Sequence, residues 1–174
     1  MKVTAIILAS GKGKRIGLPK ADISLMGISF IEQIRKILTA AGVEDIFVAR
    51  YENTPDMLTT LRMAVSELKS KQENSGYLVF PVDFPFVFAD TVQKLIKTHY
   101  QNPLAVLRPI FNQQRGHPIL IPSELNLDKE DKNQGLQYII HTCSLPVVDI
   151  PVKDSGILKN VNTKEDLELW MPKK

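Results

Sequence analysis

The sequence has few of the features that mark a secreted, membrane-spanning or nucleic-acid-binding protein. Its 174 residues include a single cysteine, Cys143, which excludes a disulfide framework and favours a reducing, cytoplasmic setting. The opening run "MKVTAIILAS" leads into "GKGKR" instead of a small-residue cleavage site, so it predicts a buried strand and not a signal peptide. No apolar run approaches the ~20 residues that cross a bilayer. A net charge of +3, with scattered Lys and Arg, indicates neither a nucleic-acid nor a membrane partner.

The composition that remains is that of one globular domain, and we assign residues 1–174 to it. Val3–Leu8 is a continuous apolar run, typical of a strand that is buried on both faces. Ser29 and Glu32 have the spacing of a capping box and predict the start of a helix, with Gly42 as its stop. Further strands are predicted at "EDIFVAR", "YLVFPV", "LAVLRPIF", "HPILIP" and "LPVVDIPV".

Other helix starts are predicted from residues that commonly begin helices. We expect one helix from Thr54–Pro55, with Met57 on its apolar face, one capped by Asp90, one over Gln134–Cys143 and one from Thr163. The alternation of strands and helices predicts a three-layer α/β/α sandwich with a mostly parallel sheet. Ligands of such sheets bind beyond the carboxyl ends of the strands.

The segment "ILASGKGKRIGLPKAD" follows the first predicted strand and combines three glycines with several cations. Glycines let the backbone approach a ligand closely, and the cations Lys12, Lys14, Arg15 and Lys20 suit a polyphosphate. The spacing fits neither a P-loop nor the dinucleotide fingerprint. A solvated basic turn is the alternative.

A second candidate site is Asp83, which ends the strand "YLVFPV" among apolar residues. Burying a carboxylate is costly unless it is paired or binds a metal, and an oxygen ligand here could hold Mg²⁺ against phosphates. A turn residue before Pro85, or a helix cap, is the alternative. His99 and His141 lie on predicted helices without partner spacing, and we assign both to structure.

Four segments, in order, resemble the motifs of the MobA-like NTP transferases, closest to the molybdenum cofactor cytidylyltransferase type. They are "ILASGKGKRIGLPK", "VDFPFV", "RGHPILIP" and "VKDSGILKNVNTKEDLE". The resemblance implies a GT-A-like fold and a nucleotidyltransferase that transfers an NMP from an NTP to a phosphorylated small molecule. Pyrophosphate is released. CTP is favoured and GTP is an option, molybdopterin cofactor is an example of the acceptor, and Mg²⁺ or Mn²⁺ is the implied metal.

The resemblance also implies roles for individual residues. Arg15, Lys20 and Asp83 would be catalytic, and Asp83 would share a metal with Asn162. The implied nucleotide and acceptor contacts are Leu8, Ala9, Gly11, Gly13, Lys14, Arg15, Thr60, Arg115 and His117. For Thr60 the alternative is a helix face, and for Arg115 and His117 it is a charged turn.

The sequence departs from the family pattern at several positions. Asn162 replaces an Asp, Phe84 a Gln and Lys153 an acid, and one helix–strand unit is missing between "IFVAR" and "NTPDMLTTLRMA". A catalytically weak binding module and a sugar-phosphate nucleotidyltransferase are therefore alternative functions. A GT-A glycosyltransferase is disfavoured because "VDFP" offers a single acid. The oligomeric state stays open, with a monomer as one option.

Overall fold

The computed structural model describes residues 2–10, 23–25, 27–128 and 135–170. Its helices are α1 (Phe30–Ala40), α2 (Met57–Lys69), α3 (Ala89–Gln101), α4 (Gly135–Thr142) and α5 (Lys164–Trp170), with a 3₁₀ helix at Ser155–Leu158. The strands are β1 (Val3–Leu8), β2 (Ser24–Leu25), β3 (Ile28–Ser29), β4 (Ile46–Ala49), β5 (Gly76–Pro81), β6 (Val106–Phe111), β7 (Gln114–Arg115), β8 (Ile119–Pro122) and β9 (Val147–Pro151). Within the described ranges, no helix has both the length and the apolar character needed to span a bilayer.

A seven-stranded sheet lies at the centre of the described residues, in the order β4-β1-β5-β8-β6-β7, with β9 on the other edge of β6. The strands β4, β1, β5, β6 and β9 share one direction, whereas β8 and β7 run against it. The predicted mostly parallel sheet is thus confirmed. Residues 50–56 connect β4 directly to α2 without a regular element between them, as expected from the missing helix–strand unit.

The sheet separates two apolar cores. Ala5 and Ile7 of β1 pack into the core formed with α1 and α3, whereas Ile6 and Leu8 pack into the core formed with α2 and α4. This alternation follows from the two-residue repeat of a strand, and it explains why β1 is apolar at every position. Helices on both faces give the predicted three-layer sandwich.

The helix boundaries show where local sequence signals suffice. The capping box of α1 is present, because the Ser29 side chain accepts from the Glu32 N–H and Glu32 accepts in return. Helix α2 is capped by Asp56, two residues after the predicted Thr54, since the Asp56 carboxylate accepts from Thr59 N–H at 2.7 Å.

Two further expectations about the helices are wrong. Met57 is 49% exposed and does not join the apolar face of α2. Asp90 lies inside the first turn of α3, and the residue at the cap position is Phe88, which has no capping side chain. The carboxylate at this helix end belongs to Asp154, which follows β9.

Candidate active site

The carboxyl ends of β1 and β5 lie side by side. Leu8 is in register with Pro81, and the Val82 N–H donates to the Leu8 carbonyl at 3.1 Å. Leu8 and Ala9 are therefore at the same edge as Asp83, as the sequence predicts. The other predicted residues of this segment, Gly11, Gly13, Lys14, Arg15 and Lys20, lie outside the described residues, and their roles stay predictions.

The chain is anchored immediately before the glycine-rich segment. The Ser10 hydroxyl accepts from the Tyr51 N–H at 2.9 Å and donates to the Ala49 carbonyl at 3.4 Å, and the Ala9 N–H donates to the same carbonyl. These bonds fix the exit of β1 against the end of β4. The sequence analysis missed Ser10, although a hydroxyl directly between a buried strand and a glycine was a usable signal.

Asp83 is 9% exposed and lies two residues beyond the end of β5. Its carbonyl accepts from the Val161 N–H at 2.8 Å, which brings the neighbouring Asn162 to the same edge of the sheet. The backbone N–H groups of Asn162 and Thr163 both donate to the Asp166 carboxylate at 2.9 Å, so the segment is held by the start of α5. The two residues that the resemblance pairs as metal ligands are thus neighbours through the backbone.

The chemistry of this pair fits a hard cation. Carboxylate and amide oxygens are ligands that Mg²⁺ accepts, and Mg²⁺ commonly takes only one or two protein carboxylates, with substrate phosphates and water completing the shell. No cluster of three or more His, Cys, Asp or Glu suited to a metal exists in the part of the chain that the structure describes. Asp83 and Asn162 therefore suit a metal that arrives with a phosphorylated substrate, not one held by the protein alone.

His117 lies beside Asp83. Its ring packs on Phe84 with 4.7 Å between centroids, and burial lowers its pKa, an effect that the charge of Asp83 opposes. The backbone N–H of His117 donates to the Ile157 carbonyl at 3.0 Å. Its Nδ1 is buried without a hydrogen-bond partner among the described residues. The lowered pKa favours a neutral imidazole at neutral pH, able to donate one hydrogen bond and accept another.

Arg115, two residues before His117, is engaged elsewhere. Its Nε donates to Asp149 Oδ2 at 3.0 Å, and Arg108 holds the other oxygen of Asp149 at 2.8 Å. The side chain is 57% exposed. The structure thus places Arg115 in an ion-pair cluster with β6 and β9, beside the site but attached to a different pair of strands.

Thr60 is almost fully buried in the first turn of α2. Its hydroxyl hydrogen-bonds the Thr54 hydroxyl at 3.0 Å and the Asp56 carbonyl at 3.2 Å. The structure therefore uses Thr60 to shape the helix start and does not place it on the cavity wall described next. The contact of Thr60 with a nucleotide base stays a prediction.

A cavity of about 460 Å³ opens at the carboxyl edge, between the starts of α2 and α4. Its polar residues are Asp56, His117 and Gln137, and its apolar wall includes Leu8 and Leu61. The volume is within the range of small-molecule sites, and a mostly apolar wall with a few polar groups is typical of them. The cavity thus connects the exit of β1 with His117, the neighbour of Asp83.

The sequence analysis also missed Asp154, which is 2% exposed. One carboxylate oxygen accepts from the Phe88 N–H and the Thr91 hydroxyl, both at 2.7 Å, and the other accepts from the Gly156 N–H at 2.8 Å. The carboxylate thus caps α3 from 66 residues away and fixes the start of the 3₁₀ helix. Its position in "VKDSG" was visible, but its partners were not.

The parallel strands β1 and β5 end beside a buried acid, and a histidine and a cavity of small-molecule size lie next to it, an arrangement typical of an enzyme active site. The model of the MobA-like NTP transferase domain matches residues 50–145, more than half of the chain. The chain belongs to this family. The resemblance seen in the sequence is confirmed.

Curated relatives extend the similarity to nearly the whole chain. A probable molybdenum cofactor guanylyltransferase of Bacillus cereus is 25% identical and covers 95% of this chain and 94% of its own. The molybdenum cofactor guanylyltransferase of Xanthomonas euvesicatoria is 23% identical, with coverages of 93% and 90%.

Solved structures share the fold. The crystal structure of Rv0371c from Mycobacterium tuberculosis has a TM-score of 0.77 at 19% identity and covers 98% of this chain and 97% of its own. A nucleotidyl transferase from Methanothermobacter has a TM-score of 0.76 at 18% identity, with coverages of 98% and 96%. Molybdopterin-guanine dinucleotide biosynthesis protein A from Archaeoglobus fulgidus has a TM-score of 0.67 at 19% identity, with coverages of 98% and 97%.

Proposed function

We propose that this protein is a Mg²⁺-dependent guanylyltransferase that transfers GMP from GTP to the phosphate of a pterin-type acceptor such as molybdopterin cofactor, releasing pyrophosphate. The observation that carries the proposal is the Val161–Asp83 hydrogen bond of 2.8 Å, which places Asp83 and Asn162 at the strand end where the glycine-rich segment begins. These are the two residues of the described chain that the family resemblance pairs as metal ligands.

GTP is proposed in place of the CTP that the sequence motifs favour. The curated relatives that span almost the whole chain are named guanylyltransferases. The polar groups of the cavity also suit guanine, because a carboxylate such as Asp56 can accept from the N1–H and the amino group of guanine. Cytosine offers a carboxylate only its N4 amino group, because N3 and O2, the rest of that edge, are acceptors.

The reaction requires little covalent chemistry from the protein. An oxygen of the acceptor phosphate forms a bond to the α-phosphorus of GTP, and the bond from that phosphorus to the oxygen bridging the β-phosphate breaks, so that the electron pair leaves with pyrophosphate. Positioning and charge stabilisation therefore supply most of the rate enhancement. A bound Mg²⁺ would neutralise charge on the phosphates.

The protein's own groups have distinct roles in this proposal. Asp83 and Asn162 would hold the metal by their oxygens. Gly11, Gly13, Lys14 and Arg15 would bind the β- and γ-phosphates, and Lys20 would stabilise the charge that develops at the α-phosphate. Arg115 and His117 would approach the acceptor, and the neutral His117 ring could donate or accept a hydrogen bond there.

The test is a pyrophosphate-release assay in which GTP, CTP, ATP and UTP are each combined with Mg²⁺ or Mn²⁺ and either molybdopterin cofactor or a sugar 1-phosphate. We expect turnover with GTP, Mg²⁺ and the pterin that exceeds the Asp83→Ala background by at least tenfold. Turnover with the sugar phosphate alone would favour a sugar nucleotidyltransferase. Calorimetric binding of GTP without any turnover would overturn the proposed reaction in favour of a binding module.

A further inference from the structure

The hydrogen bonds of Asp154 connect it to the segments that carry His117 and Asp83. Asp154 holds the Gly156 N–H at 2.8 Å, and the next residue, Ile157, accepts the His117 N–H at 3.0 Å. Gly116 packs so closely on Ile157 that a Cβ at Gly116 would overlap the Ile157 carbonyl. A displacement of the 3₁₀ helix therefore cannot occur without moving the backbone of His117.

The same carboxylate controls the segment that carries Asp83. The segment that begins at Asp83 ends at Phe88, whose backbone N–H donates to the Asp154 carboxylate at 2.7 Å. Within the segment, the Phe86 carbonyl lies so close to Gly156 that a Cβ at Gly156 would overlap it. Beyond the 3₁₀ helix, the Val161 N–H returns to the Asp83 carbonyl at 2.8 Å. The Asp83–Phe88 segment is thus held at both ends by the segment that begins at Asp154.

Helix α3 makes this arrangement depend on Asp154 in particular. Its cap residue, Phe88, supplies no side-chain acceptor, and the Phe88 N–H and the Thr91 hydroxyl both donate to a carboxylate from a distant part of the chain. The carboxylate is buried, and its three donors are two backbone N–H groups and the Thr91 hydroxyl. Removing the charge of this carboxylate or one of its donors leaves a buried polar group without its hydrogen bond, which is costly because the site is shielded from water.

We propose that Asp154 is a positioning residue, which sets the distance between His117 and the Asp83–Asn162 pair through the 3₁₀ helix while touching neither substrate. The kinetic part of this proposal rests on the proposed guanylyltransferase reaction. A displacement on the order of 1 Å in the reacting groups can lower a rate by about 10²-fold without preventing folding.

The experiment compares Asp154→Asn, Thr91→Val and Thr91→Ser with Asp90→Asn in the full chain. Asp90→Asn is the matched control, because it removes an exposed carboxylate from the first turn of the same helix. We expect Asp154→Asn and Thr91→Val to lower kcat by about 10-fold to 10²-fold with KM for GTP within threefold. Thr91→Ser, which keeps the hydroxyl, and Asp90→Asn should stay within twofold of wild type. Circular dichroism sets an assay temperature at which every variant is folded.

A second readout does not depend on activity. The ring resonances of the three histidines can be followed by NMR, with His99 and His141 as internal references. We expect Asp154→Asn and Thr91→Val to shift the His117 signals and to leave those of His99 and His141 in place. If Asp154→Asn fails to fold, Thr91→Val carries the test.

The outcomes separate the two proposals. Folded Asp154→Asn or Thr91→Val protein with wild-type kcat would overturn the positioning role. If wild-type protein gave no turnover with any NTP and acceptor, the proposed reaction would fail, and the His117 signals would then decide the positioning role alone. Unchanged His117 signals in both variants would overturn it.

Discussion

The two ends of the central sheet both bury polar side chains, and they use them differently. At the amino end, His99 is fully buried with Nε2 3.1 Å from the Ser75 hydroxyl, and Thr4 donates to Asn74 at 2.7 Å. These groups link α3 and the segment before β5 to the first strand. At the carboxyl end, Asp83 and His117 lie beside a cavity and the start of the glycine-rich segment. Burial of a histidine therefore does not mark a site unless a cavity and the carboxyl ends of parallel strands coincide with it.

The largest difference in activity between variants at the two ends of the sheet is expected from substituting a carboxylate. Asp83→Asn keeps the shape of the side chain but removes the charge that would hold the metal, so we expect kcat/KM to fall by about 10²–10³-fold. The matched control is Asp45→Asn, which removes a partly exposed carboxylate paired with Lys2 at the amino end. The measurement is pyrophosphate release with GTP and Mg²⁺. Equal activity of the two variants would remove the functional distinction between the ends.

Glycine-to-alanine substitutions test the packing of each end. A Cβ at Gly156 would overlap the Phe86 carbonyl, whereas a Cβ at Gly76 would lie 2.8 Å from the His99 ring. Overpacking of this kind costs about 1–3 kcal/mol of unfolding free energy, and we expect both variants to lose stability in urea titrations. Gly156→Ala should also lose activity while still folded. An equal loss of activity in Gly76→Ala would show that activity does not depend on the packing of the carboxyl end in particular.

The buried histidines predict how stability depends on pH. Burial lowers the pKa of His99 and of His117 in the folded state, so below the unfolded pKa of about 6.5 the unfolded chain binds more protons. The contribution of the two histidines to the unfolding free energy is therefore complete above that pH. It is lost on acidification, with a limiting slope of about 1.4 kcal/mol per pH unit for each histidine.

Substituting His99, at the amino end, tests its share of this pH dependence. We expect His99→Gln to reduce the slope of the unfolding free energy below pH ~6.5 and to leave the contribution of His117 in place. Urea titrations at a series of pH values give the slopes. An unchanged slope in His99→Gln would mean that this histidine titrates alike in both states.

The smallest effect is expected at the start of α1, where the substitution affects a helix cap. Ser29→Ala removes the side-chain acceptor of the capping box and should cost about 1 kcal/mol of unfolding free energy, with turnover unchanged. Thr98→Ala, which removes an exposed hydroxyl bonded to the Lys94 carbonyl within α3, serves as a comparison with no cap to lose. A loss of turnover in Ser29→Ala would connect α1 to the reaction centre.

Sequence reasoning succeeded where the signal is local. The bounds of β1, the capping box at Ser29 and Glu32 and the Thr163 start of α5 are all as predicted, because each depends on residues within a few positions of one another. The metal pair Asp83 and Asn162 was predicted from the motif resemblance and stays a prediction, and the Val161–Asp83 backbone bond brings the two residues to the same edge of the sheet. GTP, the nucleotide proposed above, was not the one that the motifs favoured, since no short motif in the chain specifies the base.

The contacts that sequence reasoning does not find are those between distant segments. Asp90 was predicted as the cap of α3 because the sequence next to the helix cannot show that Asp154 occupies that place. Arg115 and His117 are two residues apart, yet one pairs with Asp149 of β9 and the other lies near Asp83 of the β5 end. Such assignments need the strand order, which local patterns do not determine.

The bond from Val161 to Asp83 has a consequence for synthesis of the protein on the ribosome. Asp83 is synthesised well before Val161, so the acid waits for this later segment before the backbone bond between them can form. A nascent chain shorter than about 160 residues therefore carries the acid without the backbone that fixes it.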